Sequence, residues 1–96
     1  MKQNPKRCLF PLGQIVGTPG ALAALRKAGQ GPPEFLARHA SGDWGDLCAE
    51  DREANQFSME RGFQIFSSYR THAGDELWVI TDNHFSITTI LLPDEY

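Results

Sequence analysis

The hydrophobic pattern changes period once along the chain. Up to about residue 62, apolar positions recur at helical spacing between glycine and proline breaks; from Phe63 onward they alternate as in strands. The stretch "TPGALAALRKAG" carries its own punctuation. Thr18 is a natural N-cap, Pro19 suits the first helical position, and Gly29 can close the helix in the left-handed conformation. Ala21, Leu22, Leu25 and Ala28 make a narrow apolar stripe. Arg26 and Lys27 fall in the last turn, where positive charge suits the helix dipole. "GPPEFLARHASG" predicts a second helix, started by Pro32 and Pro33 and followed by Gly42, with Phe35, Leu36 and His39 on one face. "LCAEDREANQFSMERG" predicts a third, begun at Asp46 and closed by Gly62. Its apolar set of Leu47, Ala54 and Phe57 is sparse, so it should lie on the surface.

In the alternating half, "FQIFSSYRT" sets Phe63, Ile65, Ser67 and Tyr69 on one face of a strand. Gly74-Asp75 signals a tight hairpin, "LWVIT" a second strand, "DNH" a turn, and "FSITTILL" a third strand ended by Pro93. Ile15 and Val16 centre a short extended piece that can add a fourth strand at an edge. The predicted order is β-α-α-α-β-β-β. That is one α+β domain over residues 1–96, with residues 1–8 a mobile lead-in. Three helices would pack on one face of a three- or four-stranded antiparallel sheet. "FSITTILL" at an uncovered edge would invite a second chain, although the sequence leaves the oligomeric state open.

The 96 residues, 41% of them hydrophobic, suffice for one core. The net charge of −3 is unevenly spread. Residues 1–42 hold six lysines and arginines against Glu34 alone, whereas residues 43–60 hold six acids against Arg52 alone. Residues 75–96 add five acids and no base. This balance argues for solubility or a basic protein surface as partner, and against nucleic acid. No run approaches the roughly 18 apolar residues of a membrane span. Cys8 and Cys48 are too few and too far apart for a disulfide framework, and no secretory leader is legible, so a reducing cytoplasm is expected.

Candidate chemistry is thin. Cys8, His39, Cys48, His72 and His84 show no metal-ligand spacing, so no metal is expected. Cys48 lies near a helix start, but Glu50, Asp51 and Glu53 oppose a thiolate there. "LGQIVGTPG" is neither a dinucleotide fingerprint nor a P-loop, so no cofactor is expected, although the start of the first helix could hold an anion. Tyr69, Arg70, His72 and His84 form the one catalytic constellation worth weighing. The order of elements resembles that of small bacterial endoribonucleases of the RelE and barnase type. That resemblance implies an arginine stabilising the transition state of RNA cleavage, with His or Tyr moving the proton. Consecutive turns of a meander lie at opposite ends of the sheet, which separates His72 from His84.

"SGDWGDL" at 41–47 raises a different question: why Trp44 stands between Gly42 and Gly45 and between Asp43 and Asp46. In one reading it is a clasp, with the indole turned inward between the second and third helices and its N–H on a backbone carbonyl. In the other, Trp44 with Asp43, Asp46, Glu50 and Asp51 is an exposed anchor for a basic partner.

Four runs, "LGQIVGTPGALAAL", "FLARHASGDWGDL", "SSYRTHAGDELWVITD" and "TTILLPDEY", resemble a family of short bacterial proteins carried on plasmids and integrated elements. The resemblance spans most of the chain. It implies a mobile-element setting and carries over no catalytic or binding residue. The expectation that emerges is a small non-enzymatic accessory protein that binds another protein.

Overall fold

A computed structural model of the chain describes residues 8–96. The expected mobile lead-in falls almost wholly outside them. The elements follow in the order β1 (Gln14–Gly17), α1 (Pro19–Ala28), α2 (Pro32–Ala40), α3 (Ala49–Arg61), β2 (Ile65–Arg70), β3 (Glu76–Thr81) and β4 (Ile87–Leu91). Single 3₁₀ turns at Asn83–Phe85 and Pro93–Glu95 precede and follow β4. The α+β class, the three helices and the C-terminal meander are those the sequence predicts.

The sheet is mixed, which corrects the expectation of an antiparallel one. Its order is β1-β4-β3-β2, with β1 parallel to β4 and the other pairs antiparallel. Gln14 N–H donates to Ser86 O and Thr18 N–H to Ile90 O, which fixes that parallel register. Alternation in a sequence shows which side chains share a face; it carries no information on the direction of a neighbouring strand. β4 is therefore an interior strand, and the edge positions fall to β1 and β2.

The sequence also expects all three helices on one face. α1 packs against β4 and α2 against β3, while α3 flanks the edge strand β2. The reason is α3's composition. Among its side chains only Asn55 is buried, so it has no apolar stripe to lay on a sheet. Asn55 acts instead as a substitute strand. Its Nδ2 donates to Phe66 O at 2.6 Å, and its Oδ1 accepts from Phe66 N–H at 3.1 Å. An alanine at 55 would leave both Phe66 groups without these partners. Asn55→Ala is expected to cost about 1–3 kcal/mol, read as a lower urea midpoint.

Capping follows the sequence closely at α1. Thr18 Oγ1 accepts from Ala21 N–H at 3.2 Å, and Gly29 ends the helix at φ 70°. A second cap comes from the far end of the chain. Thr18 Oγ1 donates to Glu95, and Gly20 N–H donates to Glu95 Oε2 at 3.0 Å. The connection is the ordinary Thr18-capped one, and the helix start that could hold an anion takes the chain's own carboxylate. The Thr18 hydroxyl, and then the backbone donors, hold the Glu95 carboxyl below its ordinary range.

Three boundaries move. α3 begins at Ala49, not Asp46, because the Asp46 N–H is committed to Ser68 O. β2 begins at Ile65; Phe63 N–H closes α3 on Ser58 O, and its ring is exposed rather than facing the core. β4 begins at Ile87, since His84 and Phe85 turn the chain at positive φ.

Two apolar clusters fill the helix side of the sheet. One joins Ala21, Leu25, Phe35, Tyr69, Leu77, Val79 and Ile90; the other joins Phe10, Trp44, Leu47 and Ile65. His39, whose ring meets Phe10 edge-on at 5.3 Å, carries a polar chain across the same face.

Candidate functional site

The "SGDWGDL" stretch forms part of the sheet edge. Ser68 N–H donates to Trp44 O at 3.2 Å and Asp46 N–H to Ser68 O at 2.7 Å, a parallel bridge centred on Gly45. Together with Asn55 this closes β2 against solvent. Trp44 is 6% exposed and packs among Phe10, Leu47 and Ile65. The inward clasp therefore describes its position, and the indole is not on the surface. The expected hydrogen bond does not form. Trp44 Nε1 is buried with no acceptor among the described residues, in a cluster whose members Phe10, Leu47 and Ile65 offer only apolar side chains.

Asp43 is held by its neighbours. Arg38 grips its carboxylate through Nε at 2.7 Å and Nη2 at 3.3 Å. Gly45 N–H also reaches its Oδ1, and its carbonyl accepts from the Tyr69 hydroxyl at 2.6 Å. The Arg38 guanidinium lies 4.5 Å over the Tyr69 ring. Arg52 folds back to donate to Leu47 O and Gly45 O, which pins the loop to α3. Asp46, Glu50 and Asp51 are exposed, as is Glu53, and none of these four forms an ion pair among the described residues.

Between α3 and β2 runs an open cleft of about 250 Å³, lined by Asp51, Ala54, Asn55, Ser58, Gln64 and Phe66. Sequence reading missed it because it arises from Asn55 docking beside the strand. Farther along α3, the rings of Phe57 and Phe63 meet at 6.2 Å, and Arg61 lies 3.9 Å over Phe57. Both rings are exposed. Of the expected binding residues, then, Asp46, Glu50 and Asp51 are exposed without an ion pair among the described residues, Asp43 is exposed but held by Arg38, and Trp44 is buried.

The catalytic constellation does not assemble. Tyr69 is buried, and its hydroxyl is spent on Asp43; burial pushes that phenol well above its ordinary range. Arg70 donates to Gly74 O within its own hairpin. His72 lies in the β2–β3 turn and His84 in the β3–β4 turn, so the length of β3 separates them.

His39 heads a buried chain of hydrogen-bonded polar side chains. Thr88 Oγ1 donates to Leu12 O at 2.6 Å. Its one proton being used there, it accepts from Thr81 Oγ1 at 2.7 Å, and Thr81 in turn accepts from His39 Nε2 at 2.9 Å. His39 Nδ1 then accepts from Ser67 Oγ at 2.5 Å. The chain of donors fixes a neutral imidazole protonated at Nε2. Burial pushes its pKa down to about 4. The four side chains are sealed from solvent, so no substrate reaches them.

Among the described residues no helix is long and apolar enough to cross a membrane, and no cluster of three or more potential ligands could hold a metal. Cys8 and Cys48 are free thiols. Set against protein-family models, curated proteins and solved structures, the chain finds no match.

Proposed function

We propose that this chain is a non-enzymatic, protein-binding accessory factor that takes a basic segment of its partner along the acidic flank of α3. The observation that carries the reading is the set of exposed carboxylates of Asp46, Glu50, Asp51 and Glu53, unpaired among the described residues, with Asp51 at an open cleft. Asp51 stands at that cleft and Phe66 lines it. A lysine or arginine entering there would meet the Asp51 carboxylate at a partly desolvated site. Phe57 and Phe63 extend the surface with apolar area of the kind that anchors interfaces. The four sequence runs that resemble mobile-element proteins suit an accessory role in that setting.

The test uses charge reversal at two carboxylates that form no ion pair among the described residues. Glu50→Lys/Asp51→Lys is expected to lower the melting temperature by a few degrees, since both lie in the first turn of α3, and to leave the protein folded. It should abolish capture of a partner that the tagged wild type retains from host extract and releases at about 0.5 M salt. A partner held equally by both proteins would remove α3 from the interface. RNA cleavage by the wild type that is lost in Arg70→Ala would replace this reading with the endoribonuclease one.

A further inference from the structure

We propose that β1 is a self-association edge, and that two copies of the chain join their sheets through antiparallel β1–β1 pairing. The two edges of the sheet are treated differently. Along β2, the N–H and C=O of Phe66 and Ser68 are satisfied by Asn55, Trp44 and Asp46 of the same chain. Along β1, Gln14 and Thr18 turn their N–H groups to β4, so by the alternation of a parallel ladder Ile15 and Gly17 turn theirs outward. Apart from its length of four residues, β1 carries none of the usual devices that blunt an edge. The run Gly13–Gly17 has no charge, no proline and no described segment covering it. Its central side chains are apolar and open, with Ile15 43% and Val16 40% exposed.

The occupant follows from the fit of this edge to itself. A two-fold axis through Val16 pairs Ile15 of one copy with Gly17 of the other, twice, and gives roughly four interchain hydrogen bonds. On the helix side, each Ile15 then crosses a residue with no side chain. Leu22 already stands over Gly17, where an added Cβ would lie 3.0 Å from it, and Leu22 is itself 36% exposed. Ile15 would pack on the partner's Leu22, and the two Val16 side chains would meet on the open face. A neutral strand meets its own copy without like-charge repulsion, whereas the acidic surfaces elsewhere on the chain would repel theirs. The contact is small, so the association should be weak and concentration-dependent.

Sedimentation of the full chain from about 10 μM to about 1 mM covers the range expected for such an interface. The mass should rise from 10.7 kDa toward twice that value. Val16→Lys and Val16→Glu each place like charges on the two-fold axis and should each give a monomer. An equimolar mixture of the two should dimerise again. Ile15→Ala keeps β1 and its pairing with β4 and should weaken association about tenfold. Circular dichroism confirms that each variant is folded. A wild type that stays monomeric at the top concentration overturns the proposal. So does a dimer indifferent to Val16→Lys and Ile15→Ala, or a mixture that stays monomeric.

Discussion

Gly45→Ala is expected to destabilise the protein by about 3–5 kcal/mol, while Gly62→Ala costs only about 1–2 kcal/mol. Both glycines sit at φ 76°, so the conformational penalty of an L side chain is the same at each. What differs is the space. A Cβ at Gly62 meets nothing within 4 Å, whereas one at Gly45 falls 2.0 Å from Ser68 O, an atom of the β2 backbone that cannot step aside. To admit it, the loop must leave the strand. That forfeits the two bridging hydrogen bonds, each worth about 1 kcal/mol, and loosens Trp44 from its cluster. Urea unfolding of the two variants beside wild type reads the difference directly. Equal losses would show that the loop-to-strand bridge contributes nothing beyond backbone conformation.

The second large effect is a loss of stability in mild acid. His39 is buried neutral, with a pKa near 4 in the folded protein against about 6.5 when unfolded. As pH falls below about 6.5 the unfolded chain takes up a proton that the folded one refuses. The His39 contribution is therefore whole above that pH and drains away down to about pH 4, a loss of about 3 kcal/mol. Protonation would also make Nδ1 a donor toward Ser67, which is itself donating, so the Ser67 hydroxyl would have to turn its proton elsewhere in a sealed site. The expected record is a melting temperature that falls steadily between pH 6.5 and 4.5. In His39→Gln, less stable at neutral pH, that slope should be lost. Glu95, whose carboxyl is held below its ordinary range, loses its contribution only at lower pH, so the two effects separate along the axis. A slope retained in His39→Gln would assign the acid sensitivity elsewhere.

Much of the frame was legible because its signals are local. Thr18, Pro19, Gly29 and Gly62 mark helix ends through the conformations those residues adopt, and Gly74 marks the hairpin. The alternation from Ile65 onward set Ser67 in phase with Ile65 and Tyr69, on the face that turned out buried. What stayed hidden depends on pairing at long range. The direction of β1 is decided by β4, some seventy positions away. Asn55 looks like one more polar residue of a wet helix until Phe66 is brought beside it. Ser67, Thr81 and Thr88 look like ordinary strand polars, and only their mutual bonds with His39 allow them to be buried. At the candidate site, the acids were visible as a charge run. Which of them are free, and the cleft beside them, came only with the docking of α3. Asp43 was the misleading member, since its carboxylate serves Arg38.

The parallel pairing of β1 with β4, and the capping of α1 by Glu95, bear on when this protein can fold as well as on what holds it. The first strand and the first helix come early in the sequence, yet the groups that complete them lie more than seventy positions later. Ten residues of α1 alone are too few to persist as a helix in water. The meander can close as soon as β4 is out, because each of its hairpins joins neighbours in sequence. The front of the chain has to wait for it, with Ile15 and Val16 uncovered in the interval. Folding is thus expected to run from the meander back to β1 and α1, and a chain lacking the Glu95 carboxylate would carry a closed meander with a less firmly anchored first helix.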